Sequence, residues 1–263
     1  MKVAVAQFSA GMDKSANLER IAALTVQAAA GGARLVVFPE AAMCDFGRPD
    51  DDLRPMAETL DGRFVDSLQR LASKHSVSIL AGMFETIPGD RHVYNTAVIV
   101  DPIRSAPAVY RKHHLFDAFG DKESDRIQPA SDPPSLVEID GYRLGIAICY
   151  DLRFAGFIES IADLGADVLL LPSAWVAGPL KEEQWSLLTR ARALDNTIYV
   201  AAAGQTGSTY AGRSVIVDPM GIVIAGLGEV ESVAVVEISR ERLARVRARL
   251  PVVEQRKAPV LES

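Results

Sequence analysis

Leu144-Gly-Ile-Ala-Ile-Cys-Tyr-Asp-Leu-Arg-Phe154 is an apolar run that stops abruptly at a thiol. Leu144 to Ile148 reads as a buried strand, Tyr150-Asp151 as a turn, and a helix is expected to start just beyond. A strand behind Cys149, a tight turn under it and a helix N-terminus beside it is how a fold presents a nucleophile. The positive end of such a helix would favour thiolate over thiol. The competing reading is packing, since free cysteine is often a small core residue.

Two further segments decide between these readings. Leu35-Val-Val-Phe-Pro-Glu40 is again an apolar strand that ends in a polar group, here a carboxylate. Val109-Tyr-Arg-Lys-His-His-Leu-Phe-Asp117 carries Lys112 just after a short β-like piece. Glu40, Lys112 and Cys149 thus form an acid/base, electrophile and nucleophile set, each at a strand end. Taken singly, Glu40 would be an exposed loop carboxylate and Lys112 a surface lysine in the basic patch Arg111–His114.

Around these segments the pattern alternates. Strands are expected over 3–7, 35–38, 77–84, 93–100, 142–148, 168–171 and 199–203. Helices are expected over 14–30, 65–75, 157–164, 181–194 and 240–250, with a late β region at 214–217, 222–225 and 233–238. Strands 77–84 and 93–100 are close enough in sequence to pair antiparallel. Such a mix implies an α/β protein with helices covering mixed sheet. No linker or repeat divides the 263 residues, so a single domain over 1–263 is expected, with 251–263 as a C-terminal tail.

The net charge of −6 argues against a phosphate-tracking protein, so no nucleic-acid partner is expected. Two cysteines, Cys44 and Cys149, are too few for a disulfide framework, and a required free thiol suits a reducing compartment. Met1-Lys-Val-Ala-Val-Ala enters strand pattern at once, and the run 168–172 is too short to span a bilayer. A soluble cytoplasmic protein without membrane partners is expected.

The three segments and their flanks resemble the nitrilase-type carbon–nitrogen hydrolases, and the resemblance runs nearly end to end. It is carried by Val5-Ala-Gln7, Phe38-Pro-Glu40, Arg111-Lys112 with His114-Leu-Phe-Asp117, and Cys149-Tyr-Asp-Leu-Arg153. It continues through Leu171-Pro-Ser-Ala-Trp175, Arg190-Ala-Arg-Ala-Leu-Asp-Asn196 and Asp218-Pro-Met-Gly221. The forms around Lys112 and Cys149 are most similar to the Nit-type branch, which includes omega-amidases and deaminated-glutathione amidases. The resemblance implies a four-layer α-β-β-α sandwich with two mixed sheets face to face. It also implies a Glu-Lys-Cys triad that opens a small amide through a thioester, with no cofactor. A homodimer or higher homo-oligomer is implied too, paired through the helices after Phe154 and through the tail, read as a strand-like or draped segment.

Further residues take roles from this frame. Lys112 and the backbone N–H of Tyr150 would stabilise the oxyanion. Glu123, in Phe119-Gly-Asp-Lys-Glu-Ser124, would be a second carboxylate that shapes the pocket or orients Lys112; the alternative is a plain acidic loop. The loop before it is shorter than in many relatives, and Pro129-Ala130 stands where Pro-Gly is usual. Arg153 could clasp a substrate carboxylate bidentately or pair with Asp151. Trp175 would wall the pocket or pack in the core, and the Ser173–Ala174 backbone would hydrogen-bond the amide. Phe46 and Asn95 are secondary lining candidates. His113 and His114 lack a third ligand at metal spacing, and Arg190, Arg192 and Asp195 read as a helix ion-pair network. Two other readings stay open: a nitrile or N-carbamoyl amino-acid hydrolase of the same fold, and a non-catalytic or redox-sensing protein.

Overall fold

The structure is a computed structural model, and it describes residues 1–257. Among these residues, twelve strands form two mixed six-stranded sheets. The first sheet is built from β1 (Lys2–Gln7), β2 (Leu35–Val37), β3 (Ser78–Thr86), β4 (Val93–Val100), β5 (Ala108–Arg111) and β12 (Ser232–Glu237), in the order β12-β1-β2-β3-β4-β5. The second holds β6 (Leu136–Ile139), β7 (Tyr142–Ile146), β8 (Val168–Ser173), β9 (Tyr199–Gly204), β10 (Val215–Val217) and β11 (Val223–Gly226), in the order β11-β10-β9-β8-β7-β6. In each sheet the central strands are parallel and the edges antiparallel. β3 and β4 pair antiparallel, as their spacing suggested.

The two-residue period of a strand sorts its side chains between layers. In β1, Val3 and Val5 join the core between the sheets, while Ala4 and Ala6 face the helices α1 (Lys14–Ala30) and α2 (Arg63–His75). In β2, Leu35 and Val37 point inward and Val36 outward. The small Ala4 and Ala6 let the helices sit close on the sheet. On the other side, α3 (Ala155–Asp163) and α4 (Lys181–Asn196) cover the second sheet, whose β8 is buried on both faces. The result is the four-layer α-β-β-α arrangement expected. Strands with both faces buried need continuous apolar runs, which is why Val168-Leu-Leu-Leu-Pro172 does not alternate.

Three local expectations change. β6 was not anticipated; it is a four-residue edge strand joined to β7 by a tight turn, with Asp140 at φ 49° and Gly141 at φ 73°. Beyond α5 (Arg240–Arg249), the tail is a short helix, α6 (Val252–Lys257), not a strand-like or draped segment. Arg256 fixes it by donating to Asn196 Oδ1 at 2.9 Å and to Asp163 Oδ1 at 2.7 Å. Residues 258–263 of the expected tail lie outside the described residues.

The helix expected at Cys149 is the third change. Cys149–Arg153 forms a 3₁₀ turn, Phe154 is extended, and α3 starts only at Ala155. Cys149 itself has φ 46°, a left-handed conformation that costs a non-glycine residue about 1–3 kcal/mol.

Candidate active site

The strand ends converge. Glu40 follows β2, Lys112 follows β5, Cys149 follows β7 and Ala174 follows β8. Glu40 and Lys112 are 1% and 2% exposed, so their charges must be matched inside the protein. Lys112 Nζ donates to Glu40 Oε1 at 2.8 Å and to both Glu123 oxygens at 3.0 and 2.9 Å. Asn95 Nδ2 bridges the same carboxylates, at 2.7 Å to Glu40 and 3.1 Å to Glu123. The remaining Glu40 oxygen accepts from the Ala174 N–H at 2.7 Å, and the second Glu123 oxygen from the Phe116 N–H at 2.6 Å. One ammonium between two carboxylates, each held by further donors, fixes all three groups.

The backbone around Glu40 is equally constrained. Ala41 has φ 53°. Gln205 Nε2 donates to the carbonyls of Glu40 and Ala41 at 3.0 and 3.1 Å. Gly82 lies against this turn so closely that a Cβ there would come within 2.7 Å of Glu40 Cα and 2.6 Å of the Ala41 nitrogen.

Cys149 is 8% exposed and opens on a cavity of about 310 Å³. Its thiol pKa is pushed well above the ordinary value, first by burial and then by the neighbouring Glu40 charge and hydrogen bond. Lys112 and the Ala174 N–H act in the opposite direction and lose. The helix-end argument for a lowered thiol pKa therefore fails: α3 begins too late, and burial beside a carboxylate dominates. Cys149 thus rests as a thiol, and any attack by its sulfur would require a base to take the proton. Lys112 is pushed the other way, held well above the ordinary lysine value by Glu123 and Glu40 against the opposing effect of burial. A buried cation so paired stays charged. Cys44 is buried beneath the first sheet, its thiol pushed up to about 12 by burial.

These directions have a measurable consequence. Iodoacetamide is expected to alkylate Cys149 alone, and its rate to be still rising at pH 9.0, the ordinary thiol value. A raised thiol pKa leaves the thiolate fraction growing through that pH. Mass spectrometry of labelled peptides across a pH series checks this; a plateau below pH 9.0 would contradict it.

The flanking residues sort as follows. Glu123 belongs to the charged cluster rather than to an acidic loop. Tyr150, Arg153, Ala174, Trp175 and Phe46 line the cavity. Asn95 lies behind the carboxylates instead of on the wall. Ser173 is fully buried and off the cavity, its carbonyl taken by the Gln205 N–H at 2.9 Å. The Ala174 N–H is engaged by Glu40, while Ala174 itself lines the cavity. Arg153 does not pair with Asp151. That carboxylate accepts from Tyr110 OH at 2.7 Å, from the Ile148 N–H at 2.9 Å and from the His114 N–H at 2.9 Å, and so braces the nucleophile turn. Arg153 instead donates to Gln184 Oε1 at 2.6 Å and stacks over Trp175 at 4.8 Å.

The histidines are engaged by the protein. His113 meets the Asp132 carbonyl at 2.6 Å, and His114 meets Asp151 Oδ1 at 2.8 Å while stacking on Phe154. Arg192 is more than a helix ion-pair member: its Nε donates to the Leu152 carbonyl at 3.0 Å and ties α4 to the nucleophile turn. Arg190 donates to the Gly221 carbonyl at 2.9 Å, not to Asp195.

Sequence reasoning missed two residues. Gln205, just past β9, braces the backbone at Glu40 and Ala41 but stands in no charged pattern. Lys181 opens α4 and projects into the cavity, 8% exposed. Its one signal is position, at the start of the helix that follows the Trp175 strand end.

A buried carboxylate, an ammonium and a thiol meet at one cavity, the set of groups that the sequence motifs led one to expect of a carbon–nitrogen hydrolase. Comparison with known proteins agrees. The carbon-nitrogen hydrolase family model matches residues 2–248, and the chain belongs to that family. It is 38% identical to the deaminated glutathione amidase of Escherichia coli O157:H7 over 258 residues, covering 98% of this chain and 97% of that protein. It is 33% identical to the omega-amidase NIT2 of Danio rerio over 268 residues, covering 97% and 94%. A variant of the amidase from Nesterenkonia sp. AN1, carrying the result of Michael addition of acrylamide at the active site cysteine, has the same fold. Its TM-score is 0.81 at 26% identity, covering 95% of this chain and 98% of that one. The resemblance read from the motifs is borne out, and with it the reading as an amidase of the Nit-type branch.

Proposed function

We propose that the protein hydrolyses a small ω-amide bearing a carboxylate, through a thioester on Cys149. The observation that carries this is the buried Glu40–Lys112–Glu123 cluster beside the Cys149 thiol on the wall of the cavity. Two of the relatives carry the names deaminated glutathione amidase and omega-amidase, which supports an amide substrate. Arg153 lines the cavity without a carboxylate partner among the described residues, which suits such a substrate.

In the first half-reaction the Cys149 sulfur attacks the amide carbonyl while its proton passes to Glu40. Negative charge gathers on the carbonyl oxygen, and Lys112 stabilises it. The Tyr150 amide can join it, since amides at the start of a helical turn lack partners within the turn. Glu40 returns the proton to the nitrogen, the C–N bond breaks, and ammonia or an amine departs. In the second half a water gives its proton to Glu40 and its oxygen to the acyl carbon. The C–S bond breaks and the sulfur recovers the proton. Glu123 does not exchange protons in this scheme; with both oxygens on Lys112 or its loop, it orients the ammonium.

The test is product release from 2-oxoglutaramate, deaminated glutathione, glutamine, a short aliphatic amide, an N-carbamoyl amino acid and a nitrile. Turnover of a carboxylate-bearing ω-amide above the aliphatic amide is expected. Turnover of the carbamoyl compound or the nitrile alone would move the function within the fold. Among the described residues no helix is long and apolar enough to cross a membrane. A cytoplasmic setting belongs to the same proposal, supported by two unpaired cysteines, one of them needed as a thiol.

We also propose a homodimer formed across the outer face of α4. Leu187 and Leu194 are two turns apart on one face of that helix and exposed, and Ile222 is exposed beside Gly221, which abuts Leu194. Sedimentation at micromolar concentration should give the dimer mass; a monomer would contradict this.

A further inference from the structure

The cavity holds more positive charge than the triad uses. Of its cations, Lys112 is matched by Glu40 and Glu123, Lys122 pairs with Asp125 at 2.8 Å, and Arg126 donates to the carbonyls of Phe46 and Arg48 at 2.8 and 2.9 Å. Lys181 and Arg153 are different. Neither has a carboxylate partner among the described residues, although Lys181 is 8% exposed. The Lys181 ammonium lies among aromatic rings, 4.8 Å from the centre of Phe119 and 5.1 Å from those of Phe116 and Trp175. Arg153 stacks over the same Trp175 ring at 4.8 Å. Two cations therefore share one indole, and Lys181 has its pKa lowered by burial first and by Arg153 second.

Its position is also poor for stability. Lys181 is the first residue of α4, where the helix dipole disfavours a cation. Its backbone is nevertheless fixed. The Lys181 carbonyl accepts from Trp175 Nε1 at 2.8 Å, its N–H donates to the Gly178 carbonyl at 3.0 Å, and Leu180 before it is left-handed at φ 62°. Asp121, on the cavity wall, and Glu182 favour the Lys181 charge from a distance, but a cation that is buried, close to a second cation, at the wrong end of a helix and without a carboxylate in contact is best matched by an anion that enters the cavity. Lys181, Arg153 and Cys149 line the same cavity, so such an anion would sit within one small molecule of the sulfur.

We propose that Lys181 and Arg153 together form the receptor for the substrate's carboxylate, and that Lys181 sets the preference for acid amides over neutral ones. This rests on the amidase reading above and names the residue that selects within it. The ammonium gives a point charge and the guanidinium a planar fork, so a carboxylate can meet both while its ω-amide carbonyl reaches Cys149.

The test uses isosteric pairs: succinamate against succinamide, and glutaramate against glutaramide. Each pair differs only by a carboxylate in place of a neutral amide. The wild type should prefer the monoamide acids. Lys181→Met should cut their kcat/KM about tenfold to a hundredfold, mostly through KM, the range for losing a charged hydrogen bond. The diamides should change less than about threefold, which also shows that the variant is folded. Lys181→Arg should keep most of the preference. If Lys181→Met keeps the wild-type ratio of acid to diamide, or loses both substrates equally while Lys181→Arg does not rescue the ratio, the proposal is overturned. If the wild type shows no preference, or if neither pair is hydrolysed in a Cys149-dependent way, the carboxylate-amidase reading itself has failed.

Discussion

Lys112→Met is expected to lower both stability and activity, by separable routes. The ammonium sits between Glu40 and Glu123, with contacts of 2.8 to 3.0 Å and 2% of its surface exposed. Removing it leaves two buried carboxylates facing each other across Asn95. Breaking a buried ion pair in this way costs about 3–5 kcal/mol. Urea unfolding should show that loss. Activity should fall at least about 10³-fold, because one oxyanion donor alone contributes roughly 10²–10³ and Glu40 also loses its orienting partner. The double variant Lys112→Met/Glu123→Gln removes one excess charge, so it should recover much of the stability and none of the activity. Recovery of activity in the double variant would reduce Lys112 to a structural counter-ion.

Cys149→Ala is expected to abolish turnover, by at least about 10⁴-fold, with little change in stability. Loss of a nucleophile removes the covalent route altogether, and what remains is the effect of binding and the oxyanion site. Alanine keeps the backbone of the turn, and the φ of 46° is as strained for one residue as for the other. The turn keeps its braces as well, since Asp151, Tyr110 and Arg192 hold it through groups other than the thiol. Circular dichroism and thermal unfolding beside the activity measurement separate the two effects. Residual turnover within a hundredfold of wild type would mean that another group attacks.

Much of this site was legible before any coordinates, because its members stand at strand ends. A strand fixes where its last residue points, and Phe38-Pro-Glu40, Arg111-Lys112 and Ile148-Cys149 each announce such an end. The sheets were legible where runs are long and doubly buried, as in β8, and illegible where a short edge strand takes its order from a neighbour, as β6 does from β7. The two-sheet packing came from the resemblance and not from periodicity, since a buried strand reads alike in one sheet or two.

The charge state of Cys149 was misread for a physical reason. A helix was expected to start just beyond the Tyr150-Asp151 turn, yet Phe154 is extended and interrupts it. The field at the sulfur is then set by burial and by Glu40, groups brought together by three-dimensional packing. The same holds for Gln205 and Lys181. One braces Glu40 across 165 positions of sequence, and the other matters because of where Trp175 and Arg153 lie. Neither relation has a local signature. Arg153 shows the middle case: its place near the nucleophile was readable, while the absence of an Asp151 pair was not, because Asp151 is engaged by Tyr110 and His114 from a distant strand and loop.

The central claim is that the reaction runs through an acyl group on Cys149, drawn off by Glu40. The most direct measurement is the intact mass of the protein, acid-quenched during turnover of a carboxylate-bearing ω-amide, followed by peptide mapping. The account predicts a mass increase equal to the acyl group, located on the peptide that contains Cys149, sensitive to hydroxylamine and absent from Cys149→Ala. Turnover without any such adduct in a protein whose Cys149→Ala variant remains active, or an adduct on another residue, would contradict it.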